Sequence, residues 1–104
     1  MRNSDDATPL SPEDAKRKIT LFLKDGRVKP SIHCLRVSMP KRSVGMQDIE
    51  HVLEEGQIFR TPEWDEEHGD WKYVIEGTDQ EGDKLRAVTV FFDVNMTLYI
   101  VTVF

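Results

Sequence analysis

The feature that most constrains the fold is a change of hydrophobic period at Gln57. Before it, apolar residues recur three and four apart. After it they alternate, so helices come first and strands follow. Upstream, Ser11-Pro12-Glu13-Asp14 reads as a helix start, with Ser11 as the cap, Pro12 at the first helical position and Asp14 as the returning acid. Ala15, Ile19, Phe22 and Leu23 form one apolar stripe, and Gly26 ends the helix. A second clear helix covers 46–55, with Met46, Ile49, Val52 and Leu53 on one side, Gly45 before it and Gly56 as a left-handed stop. Residues 31–39 fit both periods. Ile32, Leu35 and Met39 have helical spacing, and His33, Leu35, Val37 and Met39 have strand spacing. We read a short helix, with Pro40 stopping either element.

Downstream, Ile58-Phe59 opens a first strand, and further strands are expected over 71–77, 84–93 and 96–104. The turn-forming residues at 79–82 and 93–95 suit tight connections. The fold class is therefore α+β, with N-terminal helices packed on one face of a C-terminal antiparallel meander sheet. Residues 96–104 are apolar on both faces, which implies an interior strand covered on each side. Residues 1–10 have too little apolar surface to order themselves and are expected to be a flexible tail. Residues 11–104 are expected to form a single domain.

Charge divides unevenly along the chain. Residues 15–45 carry nine basic side chains against Asp25 alone, a balance of +8, whereas 46–83 carry thirteen acids against Arg60 and Lys72, a balance of −11. The overall −5 hides a basic third suited to a polyanion. The single Cys34 cannot form an internal disulfide, and no Cys-x-x-Cys or His-x-x-x-His pair seeds a metal site, so no metal or cofactor is expected. No apolar run suits a membrane span or a signal-peptide core, and the expectation is a cytoplasmic protein away from membranes.

No Walker loop, Gly-x-Gly-x-x-Gly, His-Glu-x-x-His or Gly-x-Ser-x-Gly is present, so chemistry must be sought in constellations. Metal-free RNA cleavage needs a group to take the 2′-hydroxyl proton, cations for the phosphorane and a donor for the leaving oxygen. His33, Arg36, Arg42, Arg60, Lys72, Tyr73, Lys84, Arg86 and Tyr99 supply that inventory. Strand alternation places Lys84 and Arg86 with Val88, Val90 and Phe92, and Lys72 opposite Trp71 and Tyr73. Two residues stay open between roles. His33 is either a general base facing the sheet or a structural residue, and Tyr73 is either a proton donor or a core residue with its hydroxyl at an edge. Trp64, in an acidic loop over 62–68, either anchors a partner or folds back as a lid.

The order of a helix, Leu23-Lys24-Asp25-Gly26-Arg27-Val28, further helices ending near Gly56, Ile58-Phe59-Arg60 and a three-strand meander resembles the MqsR toxins of bacterial toxin–antitoxin systems. It also looks like small uncharacterised bacterial domains encoded beside MqsA-type zinc-ribbon antitoxins. Their His, Met-x-x-Arg element and acidic helix are similar to His33, Met39-Pro40-Lys41-Arg42 and Asp48-Ile49-Glu50. MqsR resembles RelE in fold. The resemblance thus implies a metal-independent mRNA endoribonuclease, neutralised by a cognate antitoxin of the MqsA-like zinc-ribbon and helix-turn-helix type. On that reading Arg60, Lys72 and Arg86 hold phosphate charge, His33 or Tyr73 handles protons, Arg36, Lys41 and Arg42 bind RNA backbone, and Trp64 contacts the partner. The chain departs from the MqsR pattern where Lys72 replaces a Gln, where Leu85, beside Arg86, aligns with the catalytic Tyr, and where the final Lys falls at or beyond Phe104. These departures keep open a non-catalytic protein-interaction module on the same fold.

Overall fold

The computed structural model describes residues 8–104. Helix α1 (Pro12–Asp25) begins where the Ser11 hydroxyl accepts the Asp14 N–H at 3.1 Å. Helix α3 (Met46–Glu55) begins where the Asp48 carboxylate accepts the Gly45 N–H at 2.9 Å. Each cap satisfies a backbone group that the first helical turn leaves without an internal partner. Lys16 donates from Nζ to the Leu53 carbonyl at 2.8 Å, so α1 ties down the C-terminal end of α3. Ala15, Ile19 and Phe22 of α1 and Ile49, Val52 and Leu53 of α3 then bury one apolar face against the sheet.

The sheet contains β1 (Arg27–Pro30), β2 (Gln57–Ile58), β3 (Glu63–Asp65), β4 (Asp70–Thr78), β5 (Lys84–Phe92) and β6 (Thr97–Val103). The strand order is β1-β6-β5-β4-β2, and β3 pairs with the same strand β4 beside β2. The expected α+β class holds, and β4, β5 and β6 form the expected antiparallel meander. The sheet as a whole is mixed, because β1 runs parallel to β6 with Val28 opposite Leu98. Strand β6 is thereby paired on both sides. Its cover is uneven, with Leu98, Ile100 and Val103 buried beneath the helices and Tyr99 and Val101 half-buried on the opposite face.

Three local expectations are corrected. Pro40 does not stop the helix that begins at residue 32, which continues through α2 (Met39–Arg42). A π-helical turn over Cys34–Ser38, closed by the Met39 N–H on the Cys34 carbonyl, widens the preceding turn and relieves the clash a proline ring makes with an ordinary one. Gly56 is extended (φ −79°, ψ 176°) and not left-handed. Glycine is needed there for space, since a Cβ would lie 2.7 Å from the Glu76 carbonyl oxygen and 2.8 Å from Ile75 Cγ2. Finally, the acidic segment around Trp64 forms β3, and Trp64 packs edge-to-face on Trp71 at 5.4 Å.

Of the expected tail, residues 1–7 lie outside the described residues. Leu10 packs against the core, and its N–H donates to the Tyr73 hydroxyl at 2.9 Å. Among the described residues no helix is long and apolar enough to cross a membrane.

Candidate nucleic-acid interface

Strand alternation separates two faces of the sheet. Tyr73, Ile75, Leu85, Ala87, Phe91, Leu98 and Ile100 meet the helices, while Lys72, Val74, Glu76, Arg86 and Val88 point the other way. A β-bulge sharpens the open face. Val88 pairs with Thr102 and Thr89 with Ile100, so Val101 is the extra residue of β6. Both Val101 and Thr102 line the resulting groove, in keeping with bulges re-aiming side chains.

One half of the groove is a cavity of about 250 Å³ bounded by Arg60, Glu63, Lys72, Val74, Val88 and Phe104. Beside this cavity Glu76 bridges two guanidinium groups, its carboxylate oxygens lying 3.3 Å from Arg60 Nε and 3.3 Å from Arg86 Nε. Both guanidiniums stand 5.3 Å from the Phe104 ring centre. The sequence-expected cations Arg60, Lys72 and Arg86 are therefore gathered from the β2–β3 connection, β4 and β5 onto one face.

The other half is a wider cavity of about 540 Å³ lined by Ser31, Ile32, His33, Glu67, His68, Tyr99, Val101 and Thr102. Val101 and Thr102 are common to both halves. His33 is exposed on the helical wall. That wall is fixed to β6, since the Ser31 hydroxyl donates to the Val101 carbonyl at 2.7 Å and Ser38 and Thr102 share a 2.6 Å hydroxyl bond.

The same cavity is lined by one member of a pair that the sequence reading did not single out. His68 donates from Nδ1 to Asp65 at 2.6 Å, and Asp65 also accepts the N–H groups of Glu67 and His68. Burial opposes charge on Asp65, but these donors overcome it and hold its carboxyl below the usual range. The His68 ring rests on Tyr99 at 5.2 Å and Phe92 at 5.9 Å. The Asp-x-x-His spacing in a turn was the available signal, but nothing local says that such a pair will lie over an open sheet.

Other expected site residues fall elsewhere. Tyr73 belongs to the core face, where burial pushes its hydroxyl pKa up and Leu10 occupies the oxygen, so its assignment to proton transfer in the groove is corrected. Arg42 donates to the Lys84 carbonyl at 2.6 Å and, with Lys41 and His33, borders a further hollow beside Phe104. Arg36 is exposed on the helical wall. The basic stretch 15–45 is not one surface. Lys16 is held at the end of α3, and Lys18 pairs with Asp93 at 2.6 Å while lying over Phe91. Both sit on the helical layer, across the sheet from the groove.

Cys34 is buried, and its thiol is pushed up to about 11, which leaves it unreactive near neutrality. Asp79, Glu81 and Asp83 bring carboxylate oxygens within 4.8 Å of one another at the β4–β5 turn. There Asp79 accepts the N–H groups of Glu81 and Asp83, so its role in shaping the turn accounts for its position.

Residues 31–104 match the family described as Domain of unknown function (DUF4258), and the chain belongs to that family. The matched segment contains every residue named above as lining the groove, and leaves out α1 and β1. Neither a curated protein nor a solved structure matches the chain.

Proposed function

We propose that this member of the DUF4258 family is the toxin component of a bacterial toxin–antitoxin system and cleaves RNA on the open face of its sheet. The observation that carries the reading is convergence. Arg60, Lys72 and His33 come from three separate parts of the chain and border one groove, and Arg86 shares Glu76 with Arg60 at its edge. Cations held at fixed positions stabilise the charge that develops on a phosphorane, and an imidazole is suited to moving its protons near neutral pH. The apolar floor of Val74, Val88 and Val101 lowers the local dielectric, which strengthens those charge contacts.

The test is induced expression in bacteria. Growth should slow and transcripts shorten, and the double substitution Arg60→Ala with Lys72→Ala should relieve both while the protein still accumulates in folded form. A double variant as toxic as the parent would remove these two residues from the site.

A second reading has its own support. Glu76 already neutralises Arg60 and Arg86 in part, and Ile32, Leu35 and Val37 on the helical wall are 70%, 53% and 50% exposed beside Arg36. An apolar strip with adjacent cations suits a protein surface of complementary charge. In the toxin reading this strip receives the acidic antitoxin, which then closes the groove. In a non-catalytic module it is the whole function. An MqsA-like reading frame beside the gene favours the first.

A further inference from the structure

The groove holds two imidazoles, and only His33 belongs to the reading above. The second, His68, is constrained on three sides. Asp65 is only 9% exposed and engages Nδ1 at 2.6 Å, while Tyr99 and Phe92, themselves stacked at 5.0 Å, support the ring. Asp65 is itself pinned by two backbone N–H groups in the turn that returns β3 to β4. The turn closes through the Gly69 N–H on the Asp65 carbonyl, with Gly69 at φ +63°, a conformation that favours glycine. A carboxylate accepting from Nδ1–H fixes the tautomer and leaves the Nε2 lone pair as the basic site. The ring lines the wider half of the groove, which His33 also lines.

We propose that His68 is the general base of the reaction and that Asp65 is its positioning residue. This rests on the RNA-cleaving reading of the groove. Nε2 of His68 takes the 2′-hydroxyl proton as O2′ forms a bond to phosphorus. The P–O5′ bond breaks, and the leaving oxygen takes a proton from protonated His33. The products are a 2′,3′-cyclic phosphate and a 5′-hydroxyl. The proton lost by O2′ is balanced by the one gained at O5′, and no oxidant, reductant or further reactant is needed. Arg60 and Lys72, in the adjoining half, hold the non-bridging oxygens. In-line attack by O2′ needs a backbone free to bring the reacting atoms into line, so the substrate is single-stranded RNA.

The test compares wild type, His68→Gln and Asp65→Asn on a short labelled RNA, with affinity measured on the uncleavable 2′-deoxy oligonucleotide. The titratable groups around His68 are Asp65 and Glu67 of its own hairpin and Tyr99 of β6, and His33 lines the same cavity. His68→Gln should lower kcat by about a hundredfold or more, leave 2′-deoxy affinity within about threefold, and abolish the acid limb of the pH profile. Asp65→Asn should keep that limb but move it to lower pH, because loss of the carboxylate disfavours the imidazolium. Should His68→Gln not fold, the wild type carries the test: the kinetic acid limb must coincide with the NMR titration of the His68 ring, and a mismatch overturns the assignment. A wild type that cleaves, with His68→Gln keeping its rate and acid limb, overturns the His68 role alone. A folded wild type that cleaves no RNA overturns the cleavage reading and the His68 role with it.

Discussion

Replacing Glu76 with Gln should tighten RNA binding, an unusual outcome for a substitution inside a candidate site. Glu76 is 16% exposed and bridges Arg60 and Arg86, which are 48% and 26% exposed, with both contacts at 3.3 Å. Among Arg60, Lys72, Arg86, Glu63 and Glu76 the balance is one positive charge, and Glu76→Gln makes it two. The amide keeps the shape, and Phe104, 5.3 Å from each guanidinium, keeps both cations in place. One further phosphate contact to a charged donor contributes about 1.5–3 kcal/mol when desolvated, and about 1 kcal/mol at this exposure, or roughly fivefold in affinity. The log–log salt slope should steepen by about 0.7, the increment for one phosphate of a single strand. The loss in stability should be about 1 kcal/mol or less, because the bridge is partly solvated. Fluorescence anisotropy with an uncleavable 2′-O-methyl oligonucleotide at several salt concentrations reads both quantities. A folded Glu76→Gln protein that binds no better, with the same slope, would show that RNA does not occupy this face.

Three more outcomes follow from the packing. Tyr73→Phe, which removes the acceptor of the Leu10 N–H, should lower unfolding free energy by about 1 kcal/mol and leave RNA cleavage unchanged, as read by urea titration and a cleavage assay. Gly26→Ala places a Cβ 2.1 Å from the Met96 carbonyl oxygen, so the α1–β1 junction must shift, and the loss should reach the upper part of the roughly 1–3 kcal/mol that overpacking costs. Asp48 accepts the N–H groups of Gln80 and Gly45, which hold its carboxyl below the usual value. Its contribution is therefore present above the ordinary carboxylate range and lost as pH falls through the lowered value, so Asp48→Asn should cost more stability at pH 7 than at pH 3 in urea titrations.

The sequence-to-structure correspondence is uneven for physical reasons. Helices α1 and α3 and the β4–β6 meander were legible because their periods persist over two or more turns, or over seven or more strand residues. Strand β1 was not, because Arg27–Pro30 is four residues long and exists only through parallel pairing with a segment some seventy residues away. The π-helical turn over Cys34–Ser38 hid the continuation past Pro40, since helix-stop reasoning assumes an ordinary preceding turn. At the site, alternation sets Lys72 opposite Trp71 and Tyr73 and groups Arg86 with Val88, and the fold brings Arg60 beside Arg86 on Glu76 and into one cavity with Lys72. Asp65 and His68 were missed because their meaning depends on β3 pairing with β4 and on the aromatic pair Phe92–Tyr99 beneath the ring. Tyr73 fits both a proton carrier and a core residue from its sequence position, and its burial on the helix-facing side decides for the core.

The central claim, that the open sheet face cleaves RNA, is tested most directly by incubating the purified protein with end-labelled single-stranded RNA and resolving the products. The account predicts fragments ending in a 2′,3′-cyclic phosphate, and a rate at least about a hundredfold lower for folded Arg60→Ala with Lys72→Ala. Intact RNA after prolonged incubation with folded wild type, or equal cleavage by the folded double variant, would contradict it.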